Sequence, residues 1–237
     1  MRIRNAVLTA FFLVLAGAAA VSAENGRTLV LDLKMDEGQG LAAKDSSGFN
    51  NNGAIKGAEW TQGKSGGALS FSGDQKVEVR DSLSLHLAGN LTIDFWMKGT
   101  SSGSLVGKYS PGDNQRSFLL YFRSGRLNLQ INGTGLDSPY YWEQMKEPIS
   151  EDVWHHIIVS VHDVKGPSKV KMLVDGVPME TFSHLGGEPF TAIHAGTAPL
   201  VIGPYSGAID ELCIYNDSPG NSGANSGRAE PKAASGK

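Results

Sequence analysis

Trp60-Thr-Gln-Gly-Lys64-Ser-Gly66-Gly-Ala68-Leu69-Ser-Phe71-Ser-Gly73 sets a tryptophan, a glycine-rich turn and a short apolar strand side by side. Leu69 and Phe71 alternate with serine, the period-two pattern of a strand with one face buried. A second strand, Lys-Val-Glu-Val at 76–79, follows the Gly73 turn with the same alternation. Nothing in the stretch repeats at helical spacing, so the local reading is β structure joined by tight turns.

Working outward, the same signal recurs. Short apolar or alternating runs at 29–33, 91–97, 118–122, 127–131, 155–161, 170–174, 200–202 and 208–215 predict further strands. Asp175-Gly176 and Ser124-Gly125 are hairpin turns by composition, and Gly186-Gly187 opens a loop. Thirty glycines suit such an architecture. Regular strand spacing without intervening helices argues for an all-β sandwich over a βαβ fold.

The two ends read differently. Arg2 and Arg4 precede an apolar run at 7–15 and a small-residue site, Val21-Ser-Ala23, the pattern of a cleaved export signal over residues 1–23. No later run approaches the ~20 apolar residues a membrane span needs, so the expectation is a secreted or periplasmic protein. Residues 24–216 form one domain. From residue 217 to 237 the chain turns to Ser, Gly, Asn, Ala and Lys and is expected to be a disordered tail. With Arg2 and Arg4 removed, 21 basic residues become 19 against 24 acidic ones, a net of −5. An acidic chain without a basic stripe is a poor partner for nucleic acid or anionic membrane. Cys213 is the only cysteine, so no internal disulfide forms, and a small buried apolar side chain is expected there.

Six further motifs, in order, carry a resemblance. They are Met35-Asp36-Glu37-Gly38, Asp45-Ser-Ser-Gly48-Phe-Asn-Asn51-Asn-Gly53, Leu91-Thr-Ile-Asp94-Phe-Trp96-Met-Lys98, Trp154-His155-His156, Val174-Asp175-Gly176-Val177 and Gly207-Ala-Ile-Asp210-Glu211-Leu-Cys-Ile-Tyr215. Together they resemble laminin-G-like domains of the concanavalin-A-like lectin/glucanase superfamily, departing at Phe49 and Asn50. The resemblance implies a two-sheet antiparallel jelly-roll sandwich that recognises sugars or surfaces. It also implies a structural Ca²⁺ held by Asp45, the carbonyl near Gly48, Asn51 and Asp210. A hard cation wants oxygen ligands on a flexible loop, and 45–53 offers them; the competing reading is a loop of Asx turns.

Catalysis is disfavoured. Glycosidases need two carboxylates facing one groove, whereas Asp210 and Glu211 are neighbours and on a regular strand point to opposite faces. Tyr121-Phe-Arg123-Ser-Gly125 is similar to one lyase strand motif, but its Gln-Ile-His partner is missing. His155 and His156 are also neighbours and cannot share one metal. Tyr140-Tyr141-Trp142, in what reads as a long irregular segment at 133–152, is the candidate sugar platform, with Arg116 adding hydrogen bonds. The expected function is therefore a non-catalytic module binding carbohydrate or a glycosylated surface. The alternatives are a structural adhesion domain binding protein, or a polysaccharide hydrolase or lyase. Asn90, Asn132 and Asn216 begin glycosylation sequons.

Overall fold

The computed structural model describes residues 23–24, 27–136, 140–162, 169–186 and 191–217. The expected signal up to residue 22 and the tail beyond 217 lie outside them. In chain order the strands are β1 (Ala23–Glu24), β2 (Arg27–Leu33), β3 (Ala42–Ala43), β4 (Gly53–Lys56), β5 (Glu59–Gln62), β6 (Gly67–Phe71) and β7 (Lys76–Val79). They continue with β8 (Asn90–Ser110), β9 (Gln115–Arg123), β10 (Arg126–Gly135), β11 (Tyr140–Met145) and β12 (His155–His162). The last are β13 (Lys169–Val174), β14 (Val177–Pro178), β15 (Thr181–Gly186), β16 (Leu200–Ile202) and β17 (Tyr205–Asp217).

All ten expected strands form, and each named strand pairs antiparallel with its neighbours. One layer runs β13, β12, the first half of β8, β17 and β2. The other runs β15, β11, β10, β9, the second half of β8, β16, β7 and β4. The sandwich core lies between them, built from alternate residues such as Leu31, Ile93, Phe95, Phe118, Leu120, Leu129, Ile157 and Ile214, each at most 1 % exposed.

β8 is a single strand of 21 residues where the sequence reading marks a strand only over 91–97. Its first half pairs with β12 and β17 and its second with β9, so it passes from one layer to the other at Gly99 and Gly103. Only glycine serves at the crossing. Gly99 and Gly207 are register partners, and a Cβ on Gly207 would lie 2.1 Å from the Lys98 carbonyl oxygen.

The hairpin turns are as the sequence reads. Ser124 (φ 53°) and Gly125 (φ 77°), like Asp175 (φ 52°) and Gly176 (φ 77°), take the left-handed pair that a two-residue hairpin turn needs. The aromatic segment departs from expectation. Tyr140–Met145 is strand β11, paired on one side to β10 and on the other to β15. Tyrosine and tryptophan favour the pleated, half-buried surface that two partner strands provide.

One charged pair interrupts the core. Lys108 on β8 is 1 % exposed, and its Nζ donates to Asp81 Oδ1 and, at 2.6 Å, to the Ala198 carbonyl.

Candidate functional site

The loop after β3 is organised around Asp45. Its Oδ1 accepts the N–H groups of Asp32 and Ser47, both at 2.9 Å. Its Oδ2 accepts the Ser47 hydroxyl and the Asn51 N–H, both at 2.8 Å. Asn51 is 4 % exposed, and its amide donates to the Val30 carbonyl at 2.7 Å and the Ser84 hydroxyl at 2.9 Å, while its oxygen accepts from Ser82. Gly48 turns the loop with φ 96°. The loop thus satisfies itself, as Asx turns do.

Asp210 sits elsewhere. It is fully buried on β17, and its Oδ2 accepts the Ser65 N–H at 3.0 Å within the turn between β5 and β6. Its Oδ1 is buried without a hydrogen-bond partner. Burial, opposed by the Ser65 and Lys64 N–H groups and reinforced by the charges of Glu211 and Asp36, pushes its carboxyl up to about 6. The same turn is held by Asp36, whose Oδ1 accepts the Gly67 N–H at 2.8 Å. The four residues implied to hold calcium therefore divide, with Asp45, Gly48 and Asn51 in one loop and Asp210 bonded to another. Asp45 has spent both oxygens on the loop, whereas Asp210 keeps one to offer a cation. Among the described residues no group of three or more His, Cys, Asp or Glu is placed to hold a metal ion.

Alternation fails at Asp210 and Glu211. Asp210 pairs with Trp96 and Cys213 with Asp94, so the register skips between them. Glu211 has φ 54°. This is a bulge, which re-aims side chains where a regular strand would send neighbours to opposite faces.

Asp45→Ala follows directly as a test of the loop. Charged hydrogen bonds contribute roughly 1.5–3 kcal/mol each, and the substitution orphans three backbone N–H groups. A loss of about 2–4 kcal/mol is expected in urea unfolding, equal in EDTA and in calcium. A loss seen only with calcium present would make Asp45 a ligand instead.

The two histidines have separate partners. His155 Nδ1 lies 2.7 Å from Asp175 Oδ2 and its Nε2 2.8 Å from the Ser150 hydroxyl. His156 Nε2 lies 2.6 Å from Asp94 Oδ1, and its ring stacks on Trp96 with centroids 4.8 Å apart. Both are half-buried. Cys213 is buried as expected, with Sγ 3.5 Å from Asp32 Oδ1.

Arg116, expected to reach a ligand from a loop, lies on β9 and is turned inward, 8 % exposed. Its Nη1 donates to Asn114 Oδ1 and to the Gly135 carbonyl, so it ties two turns together. Asn132, the second sequon, is 2 % exposed and its side chain holds Thr134, Gly135 and Leu136. Glycosylation there would need the turn to open.

What the sequence did not reveal is a groove across β9, β10, β11 and β15. Along β9 and β10, Phe118, Leu120, Phe122, Leu127, Leu129 and Ile131 point into the core, leaving the residues between them to the other face. Tyr121, Asn128 and Gln144 stand opposite one another across three strands, as do Gln130, Trp142 and His184. At the β9–β10 turn Arg123 pairs with Arg126. Tyr121, Arg123, Ser124, Arg126, Asn128, Gln130, Gln144 and His184 line a groove of ≈ 360 Å³, within the range of small-ligand sites, about 300–1,000 Å³. Amides, a phenol and guanidinium groups line it, and among the described residues no carboxylate does. Trp142 takes the register position between Gln130 and His184, whereas Tyr141 takes that of core-facing Ile131.

A family model, Laminin_G_3, described as the concanavalin A-like lectin/glucanases superfamily, matches residues 71–220, more than half of the chain. The chain belongs to this laminin-G-like family. No curated protein sequence matches it. Among solved structures, the laminin-G-like domain is similar to domain 4 of AbnA, an extracellular arabinanase from Geobacillus stearothermophilus in complex with arabinotriose. The TM-score is 0.58 at 22 % identity, over 79 % of this chain and 91 % of that one. It is also similar to the binding domain of a botulinum neurotoxin of serotype D/C, with a TM-score of 0.59 at 13 % identity, over 80 % of this chain and 49 % of the other. A related toxin binding domain, in complex with SialylT, gives a TM-score of 0.56 at 13 % identity over 80 % and 48 %. The laminin-G-like chain spans about half the length of the toxin domains it matches. At these identities the likeness is one of fold.

Proposed function

We propose that the domain is a non-catalytic, exported module that binds carbohydrate along the groove over β9, β10, β11 and β15. The observation that carries this reading is the lining itself. Amides and a phenol present donors and acceptors at fixed spacing to sugar hydroxyls, and Tyr121 adds an aromatic surface for the C–H face of a ring. Among the described residues the lining offers no acid and nucleophile pair for glycoside hydrolysis. The arabinanase domain was solved with arabinotriose and one of the two toxin binding domains with SialylT, which supports a binding role for this fold without naming a ligand. Calcium, on this reading, orders the domain and is held at Asp210.

The aromatic cluster enters through β11. In register, Tyr140 and Trp142 lie opposite Asn132 and Gln130, and Tyr141 opposite Ile131. Each ring stacked on a pyranose contributes on the order of 1 kcal/mol. Trp142→Ala is therefore expected to weaken polysaccharide binding several-fold in affinity electrophoresis with an unchanged melting temperature, and Tyr141→Ala to lower the melting temperature instead. Lost stability with intact affinity in Trp142→Ala would move the weight to an adhesion scaffold that binds protein. Release of reducing ends or unsaturated uronate from the same polysaccharides would overturn the non-catalytic reading.

A further inference from the structure

We propose that the groove selects glycans that carry an anionic group, a uronate carboxylate or a sulfate ester, and that Arg123 receives it. The proposal rests on the carbohydrate-binding reading above and adds the ligand class.

The charge distribution carries it. The chain as a whole is acidic, with a net charge of −3, yet among the described residues the groove's lining contains two arginines and no Asp or Glu. Arg123 and Arg126 are direct register partners on either side of the Ser124-Gly125 turn. Like charges directly opposite on a sheet destabilise it, so such a pair without a carboxylate needs a reason. Arg126 is positioned by neutral groups, its Nε donating to the Lys146 carbonyl at 2.7 Å and its Nη1 to the Ser124 carbonyl at 3.5 Å. Those bonds fix its orientation without cancelling its charge. Arg123 is exposed, and among the described residues neither arginine is in an ion pair. The contrast lies next door, where Lys146 is neutralised by Glu180.

A guanidinium offers a rigid fork of donors that meets a carboxylate or sulfate through two parallel bonds. The end of the groove at the β9–β10 turn thus provides uncompensated charge, and its floor provides amides for hydroxyls. A sugar polymer carrying one acidic group per repeat places both features in reach of one chain.

Calorimetric titration of the full domain tests this with three oligosaccharides of matched length: a hexuronan, the same hexuronan with its carboxyls reduced to alcohols, and a sulfated galactan. Each is titrated at low and high salt. At least one anionic ligand is expected to bind about ten-fold tighter than the reduced one, with an advantage that shrinks in salt. Arg123→Gln should remove that advantage, bringing the charged and reduced ligands to one affinity, and leave the melting temperature unchanged. Which anionic ligand responds to Arg123→Gln tells carboxylate from sulfate. Equal binding of charged and reduced ligands, or indifference to Arg123→Gln, overturns the anion selectivity while the sugar site stands. If none of the three binds, or if binding ignores Gln130→Ala and Trp142→Ala, the groove is the wrong site and both readings fall.

Discussion

Asp81→Ala is expected to destabilise the domain by about 3–5 kcal/mol, because it leaves the ammonium of Lys108 buried with no counter-charge. Lys108 is 1 % exposed and would retain only the Ala198 carbonyl. Burial already pulls its ammonium below the usual lysine range, and Asp81 works against that pull. For Asp81 burial acts upward, but the hydrogen bonds from Lys108 and His86 prevail and hold its carboxyl low. Replacing the cation instead has a different consequence. Lys108→Met fills the same space with apolar atoms, and such exchanges are neutral or stabilising by about 1–4 kcal/mol. Asp81, at 26 % side-chain exposure, keeps His86 and water. Urea unfolding of both single variants and the double variant checks the argument. The double variant should recover most of what Asp81→Ala loses, and a loss below about 1 kcal/mol in Asp81→Ala would mean the pair is no more than a surface ion pair.

The second large effect concerns Asp210 and runs with pH. Its carboxyl is raised to about 6 in the fold, chiefly by burial. A folded value above the unfolded one means that folding favours the protonated form. The associated stability is fully present below about pH 4 and is lost as pH rises through about 6. A carboxyl raised that far corresponds to about 2–3 kcal/mol. In EDTA, the wild-type domain should lose that much between about pH 4 and about pH 7.5 relative to Asp210→Asn, in which nothing titrates at this position. Millimolar calcium at the higher pH should then restore wild type, by about 2.7 kcal/mol at a hundredfold excess over its dissociation constant, and do nothing for Asp210→Asn. A wild type indifferent to calcium would remove the ion from Asp210 and leave the titration intact.

The sandwich was legible because its strands are buried on one face and alternate. Leu69 with Phe71, Ile93 with Phe95 and Ile157 with Val159 each mark a core-facing pair, and the Ser-Gly and Asp-Gly turns mark where the chain reverses. β11 was not legible. Its Tyr-Tyr-Trp-Glu-Gln-Met lacks apolar-polar alternation, since Glu143 faces inward, 4 % exposed, and bonds Ser183 at 2.7 Å. The crossing of β8 was hidden for a related reason, because Gly-Thr-Ser-Ser-Gly-Ser reads as a loop unless two layers compete for its backbone. The candidate site was harder still. Its residues come from four strands, and only cross-strand register brings Tyr121, Asn128 and Gln144 into line. The calcium set failed to converge for the opposite reason, since Asp45 looks like a free ligand until its four hydrogen bonds are counted.

β2 and β17 run antiparallel with Arg27 opposite Asp217. Partners in such a pair lie about 5 Å apart at Cα, little more than one residue's step along a chain. A host protein interrupted by this domain would therefore find its two cut ends almost rejoined, and could carry it as a passenger in a surface loop at little entropic expense. The same arrangement sets the response to force. Pulled from both ends, β2 and β17 part like a zip, one rung at a time, instead of shearing along their length, so this seam yields at lower tension than a sheared pair of the same length.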